Sequence, residues 1–177
     1  MYKQLVFILL VVSIVSACAS RPVPQTANEY RMAVKEGPGG TKLDSYIVKR
    51  SYSRTVKLLK EKARQCLKKT VVVRTCGGYG GCNDVDYIYT PKVLTKPKSA
   101  ELHVQWRMSP EYGANVGGKP PADGMYVVVI DVEPAGKRKT RITAYYTTYS
   151  FHVIPDAIKH WLKGTSKGCP DLSKSIY

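Results

Sequence analysis

The sequence predicts an α+β domain: an antiparallel sheet of about five to six strands with two helices on one face, in the order β-α-β-β-β-β-β-α. Two observations carry this reading. Runs of β-branched and aromatic residues follow one another with short breaks, and amphipathic helical stretches occur only after the first run and after the last. Antiparallel strands with helices segregated to one side are a standard layered solution for such an order. The 177 residues fit one domain with enough chain to bury a real core.

"SYIVKRS" at 45–51 is the first strand. In "SRTVKLLKEKARQCLKK", Val56, Leu59, Ala63, Cys66 and Leu67 recur at helical spacing, with Ser51 or Ser53 available as the cap. "TVVVRT" at 70–75 begins a run of strands, and "DVDYIYTPKVL" at 84–94 follows, weakened in its middle by Pro91. "ELHVQWRM" at 101–108 alternates cleanly: Leu102, Val104, Trp106 and Met108 on one face, Glu101, His103, Gln105 and Arg107 on the other. That pattern predicts a solvent-facing His103. "MYVVVIDVE" at 125–133 reads as a central strand and "TRITAYYTTYSF" at 140–151 as its neighbour, joined by the hairpin loop "PAGKRK". The final helix is "IPDAIKHWLKG", with Pro155 and Asp156 at its start, Gly164 just past its end, and an apolar stripe of Ile154, Ile158, Trp161 and Leu162. Trp106 and Trp161 are expected to anchor the core between sheet and helix. This element order is similar to that of helix-grip domains, including those in a lipoprotein subunit of the outer-membrane β-barrel assembly machine. Such a likeness speaks to fold and does not transfer function.

Three regions divide the chain: a signal peptide at 1–17, a flexible tether at 18–44, and a single periplasmic domain at 45–177. The signal has a short charged start with Lys3, then the apolar run "LVFILLVVSIV", which is shorter than the roughly twenty residues of a spanning helix. It stops at Val15-Ser16-Ala17-Cys18, which resembles the bacterial lipobox. The resemblance implies cleavage before Cys18 and a lipid on its sulfur. Ala19, in place of the family's usual retention signal Asp, implies sorting to the outer membrane. Each buried acyl methylene contributes about 0.8 kcal/mol, so two or three chains anchor firmly. Residues 19–44 are rich in Pro, Gly and polar types with little apolar periodicity, which predicts a disordered tether.

The formal charge of +15 falls to +14 when Lys3 leaves with the signal. A basic protein attracts polyanions. Nucleic acid is not expected outside the cytoplasm; anionic lipid, lipopolysaccharide phosphates and acidic envelope proteins are the available partners. The local cluster Lys137, Arg138, Lys139 and Arg141 sits at a loop tip, free to reach one. The loop 109–124 is long for a strand connection, and Tyr112 and Asn115 are its candidate contacts.

With Cys18 lipidated, Cys66, Cys76, Cys82 and Cys169 remain, an even number that reads as two disulfides in an exported chain. Cys76 and Cys82 fit neither the spacing of a zinc knuckle nor a C-x-x-C redox pair, and the glycines between them let the chain fold back. A local bridge there leaves Cys66 with Cys169. Cys66–Cys76 with Cys82–Cys169 is the competing arrangement, and sequence alone does not choose.

No H-E-x-x-H, G-x-S-x-G or phosphate-loop pattern occurs, His160 reads as a surface residue and His152, beside Phe151, as a strand-end residue, and Asp84 with Asp86 lacks further ligands for a cation. Neither a metal nor a cofactor is expected. The lipobox resemblance implies a lipid-anchored envelope protein, and the lack of a catalytic motif adds the expectation of a non-enzymatic binding or assembly-support domain. The alternative is a small-ligand or lipid binder with a cavity between helix and sheet, which requires an apolar pocket there.

Overall fold

A computed structural model describes residues 22–37, 41–76, 81–109, 121–147, 151–165 and 168–175. The lipobox-like stretch with Cys18, and the loop residues Tyr112 and Asn115, lie outside them. In chain order the elements are α1 (Ala27–Glu36), β1 (Thr41–Val48), α2 (Tyr52–Lys62), β2 (Lys69–Cys76), β3 (Cys82–Lys96), β4 (Ser99–Met108), β5 (Met125–Pro134), β6 (Thr140–Thr147) and α3 (Val153–Lys163). A π-helical turn, Ala63–Leu67, prolongs α2, and a 3-10 turn, Leu172–Ser175, follows α3.

The six strands form one antiparallel sheet in the order β1-β6-β5-β4-β3-β2. Five of them follow by hairpin-like succession. β1 instead returns from the N-terminal side to pair with β6, Val48 opposite Thr140 and Thr41 opposite Thr147. Pro91 stands inside β3, but β2 ends opposite Tyr89, so the missing N–H falls on a stretch with only one neighbouring strand.

α2 and α3 pack on one face. Val56, Leu59, Ala63, Cys66 and Leu67 from the first, and Ile154, Ile158, Trp161 and Leu162 from the second, are buried with Leu102, Val104, Val128, Ile130 and Ile142 of the sheet. The helical stripes read from the sequence thus form the core. Trp161 is anchored by donating from Nε1 to the Gly168 carbonyl at 3.0 Å. Trp106 is only half-buried, stacked at a tilt on Tyr87. Ser51 is the α2 cap by position, yet its side chain makes no capping hydrogen bond.

The expected tether differs from the structure over 27–36 and 41–44. A third helix, α1, lies on the opposite face of the sheet, and β1 begins at Thr41. Ala27, Tyr30 and Val34 bury against Val129 and Tyr145. The local cause is an N-cap with the capping-box sequence pattern: Thr26 Oγ1 accepts from the Glu29 N–H at 3.2 Å, and Glu29 Oε2 reaches back to the residue before the cap, accepting from the Gln25 N–H at 2.7 Å. Tyr30 donates its hydroxyl to the Val127 carbonyl at 2.6 Å, and burial pushes its ionisation far up. His103 is consequently buried beneath α1, not exposed.

A bulge between Val104 and Gln105 shifts the β4–β5 register, and Gly124 precedes β5 at φ 99°. A Cβ there would lie 2.3 Å from the Trp106 carbonyl oxygen. Gly124→Ala is therefore expected to cost about 2 kcal/mol through strain, read as a lower urea midpoint. Gly136→Ala, with nothing within 4 Å of its Cβ, tests the positive φ alone and should cost less. Equal costs would remove the steric explanation.

Candidate functional site

Two disulfides close the fold. Cys66, at the π-helical end of α2, bonds Cys169 with Cα atoms 5.0 Å apart. Cys76 bonds Cys82 directly across the β2–β3 pair, Cα atoms 4.0 Å apart. The first bridge ties the segment after α3 to the core, where Leu172 is buried and its carbonyl faces the Tyr89 hydroxyl.

Lys137 and Arg138 of the sequence-picked cluster line a cleft of about 670 Å³ with Lys49, Arg50, Ser51 and Arg54. Lys139 and Arg141 are not part of its lining. The cleft forms because β1 pairs with β6. Val48 opposite Thr140 sets the β1–α2 connection beside the β5–β6 hairpin. A buried hydroxyl relay fixes the junction. Thr140 Oγ1 donates to the Arg50 carbonyl at 2.8 Å and meets Thr55 Oγ1 at 3.3 Å, and both threonines are fully buried. Arg50 also reaches the Leu162 carbonyl through Nη2 at 3.4 Å. Among the described residues, none of the five cleft cations has an ion-pair partner.

A charged cluster of a different kind lies under α1. Arg31 bridges Asp131 and Glu101, its Nη2 lying 2.9 Å from Glu101 Oε2. Lys96 Nζ reaches Glu101 Oε1 at 2.6 Å, and His103 Nε2 lies 2.8 Å from Glu101 Oε2. Since an ionised carboxylate only accepts, that imidazole nitrogen donates. Burial pushes the Glu101 carboxyl up, but hydrogen bonds from Lys96, Arg31 and His103 outweigh it and hold it at about 2. Every charge is matched, so the cluster is built to fasten α1 to the sheet. Sequence reasoning missed it for one reason: it placed Arg31 in a tether.

A groove of about 550 Å³ separates α3 from the C-terminal segment, with His152, Asp156, His160 and Asp171 among its lining residues. His160 Nδ1 pairs there with Thr165 Oγ1 at 3.0 Å. Asp84 and Asp86 face β2 opposite Arg74 and Val72.

The molecule is thus a disulfide-stapled α+β domain built on a six-stranded antiparallel sheet. No protein-family model matches the chain, and no curated protein does. A solved structure described as a conserved protein from Geobacillus kaustophilus is similar at 16% identity, covering 60% of this chain and 72% of that one. Its TM-score of 0.32 is too low to carry an argument about fold or function.

Proposed function

We propose that this is a lipid-anchored envelope protein of the outer membrane, carrying a non-catalytic binding or assembly-support domain that faces the periplasm. The observation that supports it best is the use of cysteine. Cys66, Cys169, Cys76 and Cys82 are consumed in two bridges, which persist in an oxidising compartment, and Cys18 is the one cysteine left over, at the end of an apolar leader. The helix-grip-like comparison stays a likeness of element order, with α2 and α3 sharing a sheet face. Among the described residues, the space between those helices and the sheet is occupied by Leu59, Leu67, Tyr89, Ile130, Ile154 and Ile158, each at most 1% exposed. This favours a filled module over a carrier with an interior cavity.

The test is palmitate labelling with membrane fractionation. Wild-type protein is expected to take label and sediment with the outer membrane. Cys18→Ala should lose the label and remain unprocessed or leave that fraction. Normal mature protein in the outer membrane of the variant would sink the anchor.

A further inference from the structure

Building on the binding-module reading above, we propose that the cleft between the start of α2 and the β5–β6 hairpin binds a phosphate group, carried on a lipid headgroup or on a free phosphate ester. Three arginines and two lysines converge on it from two separate segments: Lys49, Arg50 and Arg54 from one side, Lys137 and Arg138 from the other. Among the described residues, the lining contains no carboxylate, in contrast to the Arg31 cluster, where each cation has an acid. A volume of about 670 Å³ lies within the usual range for small-molecule sites, about 300–1,000 Å³.

The charge decides the ligand class. A single carboxylate would be saturated by one forked arginine and leave four cations crowded. A phosphate monoester brings about −1.5 to −2 charges and three acceptor oxygens, which match several forked donors at once. The first turn of α2 contains no acidic residue and its cap side chain is unbonded, so the helix start adds to the positive field and opposes nothing. The Thr55–Thr140–Arg50 relay ties the backbone of both walls through buried groups, so the two basic segments are held side by side. The cleft also lies at the end of the sheet where β5 turns into β6. α1 enters at the other end, beside Tyr126 and Val127. The site therefore points away from the chain's N-terminal entry.

The experiment is calorimetric titration of the purified full chain in a neutral detergent, at constant ionic strength. The probes are inorganic phosphate, glycerol 3-phosphate, dihexanoyl phosphatidic acid and acetate. Backbone amide shifts are followed in parallel. Phosphate probes are expected to bind at least about tenfold more tightly than acetate, a discrimination of the size one charge-assisted contact supplies. Shifts should concentrate at 49–54 and 136–138. Arg54→Gln with Arg138→Gln should weaken binding by about tenfold per removed cation. Lys57→Gln with Lys60→Gln removes the same charge from exposed α2 positions outside the cleft and should change binding by less than about twofold, as screening predicts. Tighter binding of phosphatidic acid than of glycerol 3-phosphate assigns the headgroup source; equal binding assigns the free ester. Equal affinity for phosphate and acetate, shifts elsewhere, or equal loss in the two double variants would overturn the site. Intact palmitate labelling alongside a negative titration refutes the cleft alone. A positive titration with no labelling refutes the anchor alone.

Discussion

Replacing Cys66 and Cys169 together by serine is expected to lower the melting temperature far more than replacing Cys76 and Cys82. The first pair closes a separation of 103 residues and the second a separation of 6. In the chain-entropy model the long loop is worth about 4–5 kcal/mol and the short one about 2. For a domain of this size each kcal/mol moves the midpoint by about 2–4 °C, so the first variant should melt on the order of 10–15 °C lower. The long bridge does more than restrain the unfolded chain. It holds the segment carrying the buried Leu172 against β3, where that residue's carbonyl accepts from Tyr89. Losing it frees a segment that seals the core beside α2. The short bridge joins two residues already opposite each other at the end of a ladder, so the strands hold without it. Calorimetric scans of the two double variants decide the matter. Equal losses would mean that the C-terminal segment is held by packing and not by the bridge.

Arg31→Met is expected to destabilise the protein by about 3 kcal/mol, the low end for breaking a partly buried ionic cluster. Asp131 and Glu101 would then face each other with Lys96 still paired to Glu101, and α1 would lose its ionic fastening. The pH dependence identifies the cause. In the wild type Glu101 has a depressed pKa of about 2 against an ordinary 4.5. Its contribution is present above about pH 5 and is lost as pH falls toward about 2, because the unfolded chain takes up the proton first. In the variant the two carboxylates repel, the folded-state pKa rises, and acidification relieves the repulsion. Urea midpoints at pH 7 and pH 3.5 should thus lie further apart for the wild type than for the variant. The same acid loss in both would show that Arg31 contributes packing alone. Glu101→Gln should likewise flatten the acid limb.

Much of the sheet was legible because strands announce themselves locally. The alternation of Leu102, Val104 and Trp106 against Glu101, His103 and Gln105 correctly separates the two faces of β4. Its inference that the second face is wet failed, since periodicity reports which residues share a face and not what covers it. The cover, α1, was itself legible in part. Thr26-Ala27-Asn28-Glu29 has the capping-box sequence pattern, with Tyr30 and Val34 one turn apart behind it. The surrounding Pro and Gly masked that signal, and ten residues make a helix too short to stand without tertiary packing.

The sequence by itself determined the α+β class, the stripes of α2 and α3 that meet the sheet, the paired count of cysteines, and the basic hairpin tip at Lys137 and Arg138. Each follows from near-neighbour chemistry: periodicity, capping, turn residues and composition. Only the tertiary structure decided that Cys66 meets Cys169, that Arg31 is fastened between Asp131 and Glu101, and that Lys49, Arg50 and Arg54 join the hairpin to make a cleft. All three depend on contacts between distant parts of the chain, above all the pairing of β1 with β6 and the laying of α1 across the sheet. Such contacts are set by burial of whole faces against one another, a sum over many residues that no local pattern encodes.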